Sequence, residues 1–102
     1  MVPLIAVGVL VTLVGFVVVY HRAIMVDMIG QLVHSRPDDY TGWCYYGTLL
    51  DREGYFIEAY DAFKKAVTLS PSYSEAWEKM GDVLTKLGDI AGAAEAYRFS
   101  QS

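Results

Sequence analysis

The sequence contains one cysteine, Cys44, and two histidines, His21 and His34. A single thiol can form no disulfide within the chain and no cysteine-based metal set. His34 and Cys44 do not stand at a metal-ligand spacing, and two ligands would not close a zinc site. No motif places a carboxylate or nucleophile beside either histidine. No glycine-rich loop follows a strand pattern to cradle phosphate. Cys44 has neither a basic neighbour nor a helix N-terminus to lower its pKa. Asp51-Arg52-Glu53 reads as a charged helix end. The chain is therefore expected not to be an enzyme, and to have no catalytic residues, bound metal or cofactor.

Clustered bases are equally scarce. The sequence has 12 acidic and 8 basic residues, and 11 of the acids but only six of the bases lie beyond Pro37. From Asp38 onward the net charge is −5. Phosphate backbones are bound by concentrated Lys and Arg that displace counterions. Lys64-Lys65 is a single pair among acids, most simply a solvated helix face. No nucleic-acid partner is expected.

Charge of either sign is missing from Met1 to Tyr20. Val2–Tyr20 reads VPLIAVGVLVTLVGFVVVY, 19 residues whose most polar side chain before Tyr20 is Thr12. At about 1.5 Å per residue this run covers most of a hydrocarbon core about 30 Å thick. Pro3 falls where a first helical turn tolerates it. Tyr20, His21 and Arg22 form an interfacial edge. A cleaved signal peptide would carry its bases ahead of the run and a small-residue cleavage site after it. Here the bases follow, and nothing near Tyr20 resembles such a site. An uncleaved single-pass anchor over residues 1–22 is expected, with membrane lipid as its surroundings. Arg22 and Arg36, helped by His21 and His34, should hold the following residues in the cytoplasm and leave the N-terminus outside. Gly8, Thr12 and Gly15 share one helix face, a pattern that allows close approach of another transmembrane helix or simply faces lipid.

What is abundant is internal repetition. At a shift of 34, Trp43 recurs as Trp77, Gly47 as Gly81, Leu50 as Leu84, Gly54 as Gly88, Ala59 as Ala93 and Phe63 as Tyr97. Pro37 and Pro71 stand 34 apart, each just ahead of a unit. A fixed period of this length marks stacked helix–turn–helix units. Helices are expected over about Tyr40–Arg52 and Phe56–Leu69. Gly47 and Ala59 are small enough for these helices to approach, with Trp43 and Phe63 filling the space around them. Gly54 occupies the turn, where positive φ costs glycine little. Ser72 and Glu75 suggest a capping box for the next helix, and Asp89 a cap for the last. Ala91, Ala93, Ala94 and Ala96 make that last helix slim, with Tyr97 and Phe99 as its bulk.

Trp43, Tyr46, Gly47, Leu50, Gly54, Ala59, Phe63, Ala66 and Pro71, with Trp77, Met80, Gly81, Leu84, Gly88, Ala93 and Tyr97 in the second unit, resemble the tetratricopeptide repeat (TPR). The second unit departs at Ser100, where a small apolar residue is usual. The resemblance covers about Tyr40–Ser102. It implies an all-α fold: one transmembrane helix followed by a two-repeat solenoid, with repeats at about 40–73 and 74–102 inside a domain spanning 38–102. Residues 23–37 read as a juxtamembrane helix that caps the first repeat in the place of a degenerate preceding helix B. Ile24, Met28 and Leu32 form one of its apolar stripes, with Met25, Ile29 and Val33 beside it.

The resemblance also implies a protein-binding role. The groove positions on the A helices fall on Thr41, Cys44, Tyr45, Thr48 and Asp51, then Glu75, Glu78, Lys79, Asp82 and Lys86. The family's carboxylate-gripping Lys/Asn set is not present there, so capture of a chaperone tail is not expected. Tyr40, Tyr45, Tyr46, Tyr55, Phe56, Tyr60 and Tyr73 crowd the first repeat, and tyrosine is favoured at interfaces. Tyr40, Thr41, Cys44, Tyr45, Thr48, Glu75, Glu78, Lys79 and Asp82 are the candidate protein-binding residues. The expected role is an accessory or adaptor subunit of an integral membrane complex. The alternative is an anchored receptor or assembly factor that binds client proteins transiently.

Overall fold

The computed structural model describes residues 3–102; Met1 and Val2, the first residues of the expected anchor, lie outside the described residues. Five helices follow one another: α1 Leu4–Ser35, α2 Tyr40–Arg52, α3 Phe56–Leu69, α4 Ser74–Lys86 and α5 Ile90–Ser100. There is no strand among the described residues. The bounds of α2 and α3 coincide with those read from the repeat.

Each repeat is a helical hairpin closed by the same turn. Gly54 (φ 86°) ends α2 and Gly88 (φ 87°) ends α4, both in the left-handed region that other residues avoid. The Gly54 amide donates to the Asp51 carbonyl and the Tyr55 amide to that of Leu50. Gly88 to Thr85 and Asp89 to Leu84 repeat the pattern. These are Schellman closures, which satisfy the last carbonyls of a helix and reverse the chain.

Within each hairpin the approach is set by one glycine on the A helix. A Cβ on Gly47 would lie 2.6 Å from the Phe63 ring, and one on Gly81 would lie 2.6 Å from the Tyr97 ring. Phe63 is 1% exposed. Around it lie Ala59, Ala62 and Ala66 from α3 and Trp43 and Leu50 from α2, continuing into Ala76, Met80, Val83 and Leu84 of α4. In α5, Ala93 and Ala96 enter the core, while Ala91 and Ala94 remain exposed.

α1 is one unbroken helix, joining the apolar run to the segment that meets the repeats. Residues 4–20 are all exposed. Further on, Gly30 and Val33 are buried, and Val26 and Ile29 pack against the same core. Of the two stripes expected on this segment, the row containing Ile29 and Val33 faces α2. Ile24, Met28 and Leu32 are 38%, 59% and 51% exposed. The seam depends on Gly30, where a Cβ would lie 3.0 Å from the Tyr46 hydroxyl.

The junction between α1 and α2 copies the junction between repeats. The Trp43 indole donates to the Pro37 carbonyl at 2.9 Å, and Trp77 donates to that of Pro71 at 2.8 Å. The Asp39 amide reaches the Arg36 carbonyl as the Tyr73 amide reaches Ser70. The end of α1 thus stands where a preceding helix B would stand.

If so, Val33→Asp should loosen the repeats, although Val33 lies outside them. Burying an unpaired polar group at a cost of about 2 kcal/mol corresponds to a fall of roughly 8–16 °C in a domain of this size. Thermal unfolding of the full chain in detergent, followed by tryptophan fluorescence, measures it. An unchanged midpoint would mean that α1 does not support the fold.

One local expectation needs correction. The Ser72/Glu75 capping box does not form: α4 begins at Ser74, its N-cap is Tyr73, and no side chain caps it. Glu75 instead accepts from the Tyr73 hydroxyl at 2.8 Å. Trp77 is only half-buried, whereas Trp43 is 4% exposed. Asp39 and Asp89 do cap their helices, accepting from the Gly42 and Gly92 amides.

Candidate interaction surface

The A helices α2 and α4 lie side by side and carry the candidate residues between them. At its upper end the Tyr40 and Tyr73 rings meet edge to face, 5.1 Å apart. The Glu75 carboxylate, by accepting from the Tyr73 hydroxyl, holds that phenol above the ordinary tyrosine range. At the lower end Asp51 and Lys86 pair at 2.6 Å, and the Lys86 ammonium lies 5.4 Å from the centre of the Phe56 ring.

Six of the nine candidates are exposed: Tyr40, Thr41, Tyr45, Glu75, Glu78 and Asp82. Thr48 and Lys79 are half-buried. The Thr48 hydroxyl donates to the Cys44 carbonyl. Cys44 is 3% exposed and belongs to the core, so its side chain is not offered to a partner. Burial pushes its thiol pKa up, with Glu75 adding to the effect, so no thiolate is favoured there. Asp82 is occupied by the Tyr97 hydroxyl, which raises that phenol as well. Tyr45 leans away from α4 and lines a small crevice with Ile29, Leu32 and Val33 of α1. The face is a mixed aromatic and acidic surface rather than a site with convergent reactive groups. Among the described residues, no group of three or more His, Cys, Asp or Glu side chains could hold a metal ion.

Two features escaped sequence reasoning. A groove of about 500 Å³ separates α1 from the α2–α3 turn, with Val19, Arg22 and Val26 on one wall and Tyr55 and Glu58 on the other. Arg22 closes its edge by pairing with Glu53 at 3.1 Å. The turns themselves leave Tyr55, Ile57, Leu87 and Ile90 exposed. The available signal was that Ile57 falls off the inward row of α3, which runs through Ala59, Ala62, Phe63 and Ala66.

The hairpin of α2 and α3, with its Trp–Pro hydrogen bond and paired small residues, has a known counterpart. Residues 40–73 match the tetratricopeptide-repeat family. Pre-mRNA-processing factor 39 of Danio rerio is 28% identical over 72 residues, which is 71% of this chain and 10% of that protein. Among solved structures, MamA AMB-1 in form P212121 superposes with a TM-score of 0.75 at 22% identity, over 84% of this chain and 47% of that one. MamA MSR-1 in form C2 gives 0.74 at 22% identity, over 84% and 49%. At such identities the likeness is one of fold. The chain spans about half the length of these two structures and a tenth of the curated relative. The likeness shows an all-α, TPR-like fold.

Proposed function

We propose that this chain is a membrane-anchored protein-interaction module, a non-catalytic accessory or adaptor subunit of an integral membrane complex. Residues 1–22 would form the anchor, 23–37 the capping segment and 38–102 the repeat domain. The observation that carries this reading is the continuity of α1. One helix provides both an uncharged run with no internal packing and the surface on which the first repeat is built. Within the run the Thr12 hydroxyl donates to the Gly8 carbonyl at 2.8 Å, so this donor does not face lipid unsatisfied. A Cβ on Gly8 or Gly15 would meet nothing within 4 Å. That face is open to a neighbouring transmembrane helix. The tyrosine-rich face of α2 and the acidic face of α4 would receive the soluble part of the partner. Tyr40, Thr41, Tyr45, Thr48, Glu75, Glu78, Lys79 and Asp82 line them.

The test combines topology with stoichiometry. The chain should resist alkaline extraction from membranes. A Ser102→Cys variant should react with an impermeant maleimide only after the membrane is opened. Cys44 cannot substitute for this probe, because its thiol is buried whichever side it occupies. Labelling at residue 102 in intact cells would reverse the topology, and release by alkali would remove the anchor. Mild-detergent purification should retain one partner at fixed stoichiometry. Tyr45→Glu should release a partner docked on α2. Salt-sensitive, substoichiometric recovery would favour a transient receptor instead.

A further inference from the structure

Helix α2 returns along α1. The turn between them occupies residues 36–39, and the 13 residues of α2 carry the chain back about 20 Å. It ends beside Arg22, two residues past the apolar run, where Arg22 and Glu53 pair at 3.1 Å. The Asp51–Lys86 pair at 2.6 Å then brings the end of α4 alongside the end of α2. Both hairpin turns therefore lie at the end of the domain from which the apolar run emerges.

That end exposes four large apolar side chains among the charged Arg52, Glu58, Lys86 and Asp89. Tyr55 is 53% exposed, Ile57 65%, Leu87 41% and Ile90 64%. At the opposite end the turns consist of Arg36-Pro37-Asp38-Asp39 and Ser70-Pro71-Ser72, which carry no large apolar side chain, with Leu32, Tyr40 and Leu69 exposed on the flanking helices. The groove that holds Tyr55 also holds Val19, so the turn surface is continuous with the run itself. Two of the bases at this edge, Arg22 and Lys86, are already paired with acids. The patch therefore suits a neutral interface better than a strongly anionic one. Tyr20 and Tyr55 stand at this boundary, and tyrosine is enriched at the headgroup level.

We propose that the two hairpin turns form a second membrane contact, with Tyr55, Ile57, Leu87 and Ile90 seated in the headgroup region of the bilayer that α1 crosses. This rests on the anchor reading. The repeat domain then lies against the membrane on its turn edge. The A-helix face and the polar turns remain in water for a protein partner.

The test is a depth measurement on the full chain in phosphatidylcholine vesicles. Single cysteines at Ile57, Ile90, Thr68 and Phe16, in a Cys44→Ala background, carry an environment-sensitive fluorophore. Thr68 is an exposed residue near the far end of α3, and Phe16 lies within the run. The probes at Ile57 and Ile90 should be quenched by shallow spin-labelled lipid at least twofold more than the probe at Thr68. They should be correspondingly protected from aqueous iodide. Quenching at Phe16 with Ile57 and Ile90 as iodide-accessible as Thr68 would overturn the second contact while leaving the anchor intact. A Phe16 probe open to iodide would overturn the anchor, and the second contact with it.

Discussion

Trp43→Ala should be among the most damaging single changes in the chain, with a loss of about 3–5 kcal/mol. The ring is 4% exposed, its indole N–H serves the Pro37 carbonyl, and the His34 imidazole lies edge-on at 5.2 Å. The Lys65 ammonium lies 4.2 Å from its ring centre. Truncation leaves a cavity, an unpaired carbonyl and an uncovered seam between α1 and α2. Trp77→Ala should cost roughly half as much, because part of that ring already meets water. The difference has a residue-level cause. At the shift of 34, His34 corresponds to Thr68, too small to cover an indole, and Lys65 to Phe99, whose ring lies tilted beside Trp77 at 4.8 Å. Chemical denaturation of both variants, read by circular dichroism, gives the comparison. Equal losses would contradict the difference in burial.

Gly47→Leu should prevent the first hairpin from closing. Even one added carbon would stand 2.6 Å from the Phe63 ring, and Phe63 is held on all sides at 1% exposure. Overpacking in a filled core usually costs about 1–3 kcal/mol. Here the obstruction lies between two helix axes, so the upper end or beyond is expected. Gly81→Leu meets Tyr97 in the same way, but Tyr97 is only half-buried and can yield toward solvent. The first substitution should therefore abolish the cooperative unfolding transition, and the second should only lower its midpoint. A reversed order would mean that the first hairpin is looser than its packing indicates.

Much of this architecture could be read from spacing. Glycines and prolines repeating every 34 residues mark turns and junctions by backbone chemistry, and that chemistry is local. The turn glycines have positive φ, and the helix bounds of the first repeat fall where the pattern places them. Properties that depend on neighbours were harder to read. Residues 24–33 include apolar side chains nearly all the way round, at Ile24, Met25, Val26, Met28, Ile29, Leu32 and Val33. Hydropathy alone does not choose between the stripes. The choice is made by Gly30, the one place where Tyr46 can approach the helix backbone. The repeat pattern places Cys44 in the groove, but its side chain is buried, with Tyr73, Glu75 and Lys79 around the thiol. The Ser72–Glu75 motif had the right spacing one residue too early. The helix starts at Ser74, and Glu75 is engaged by a phenol rather than by backbone.

The unbroken course of α1 fixes an angle as well as a link. A helix turns about 100° and rises about 1.5 Å with each residue. With no loop between the apolar run and Gly30, the direction in which α2 stacks is set by residue count. Removing His21 would swing the whole repeat domain about 100° around the α1 axis relative to the run. Inserting seven residues would restore nearly the original heading, about 10 Å farther from the run. The bearing of the interaction face is therefore written in the length of the connecting segment, and side chains there can change far more freely than their number.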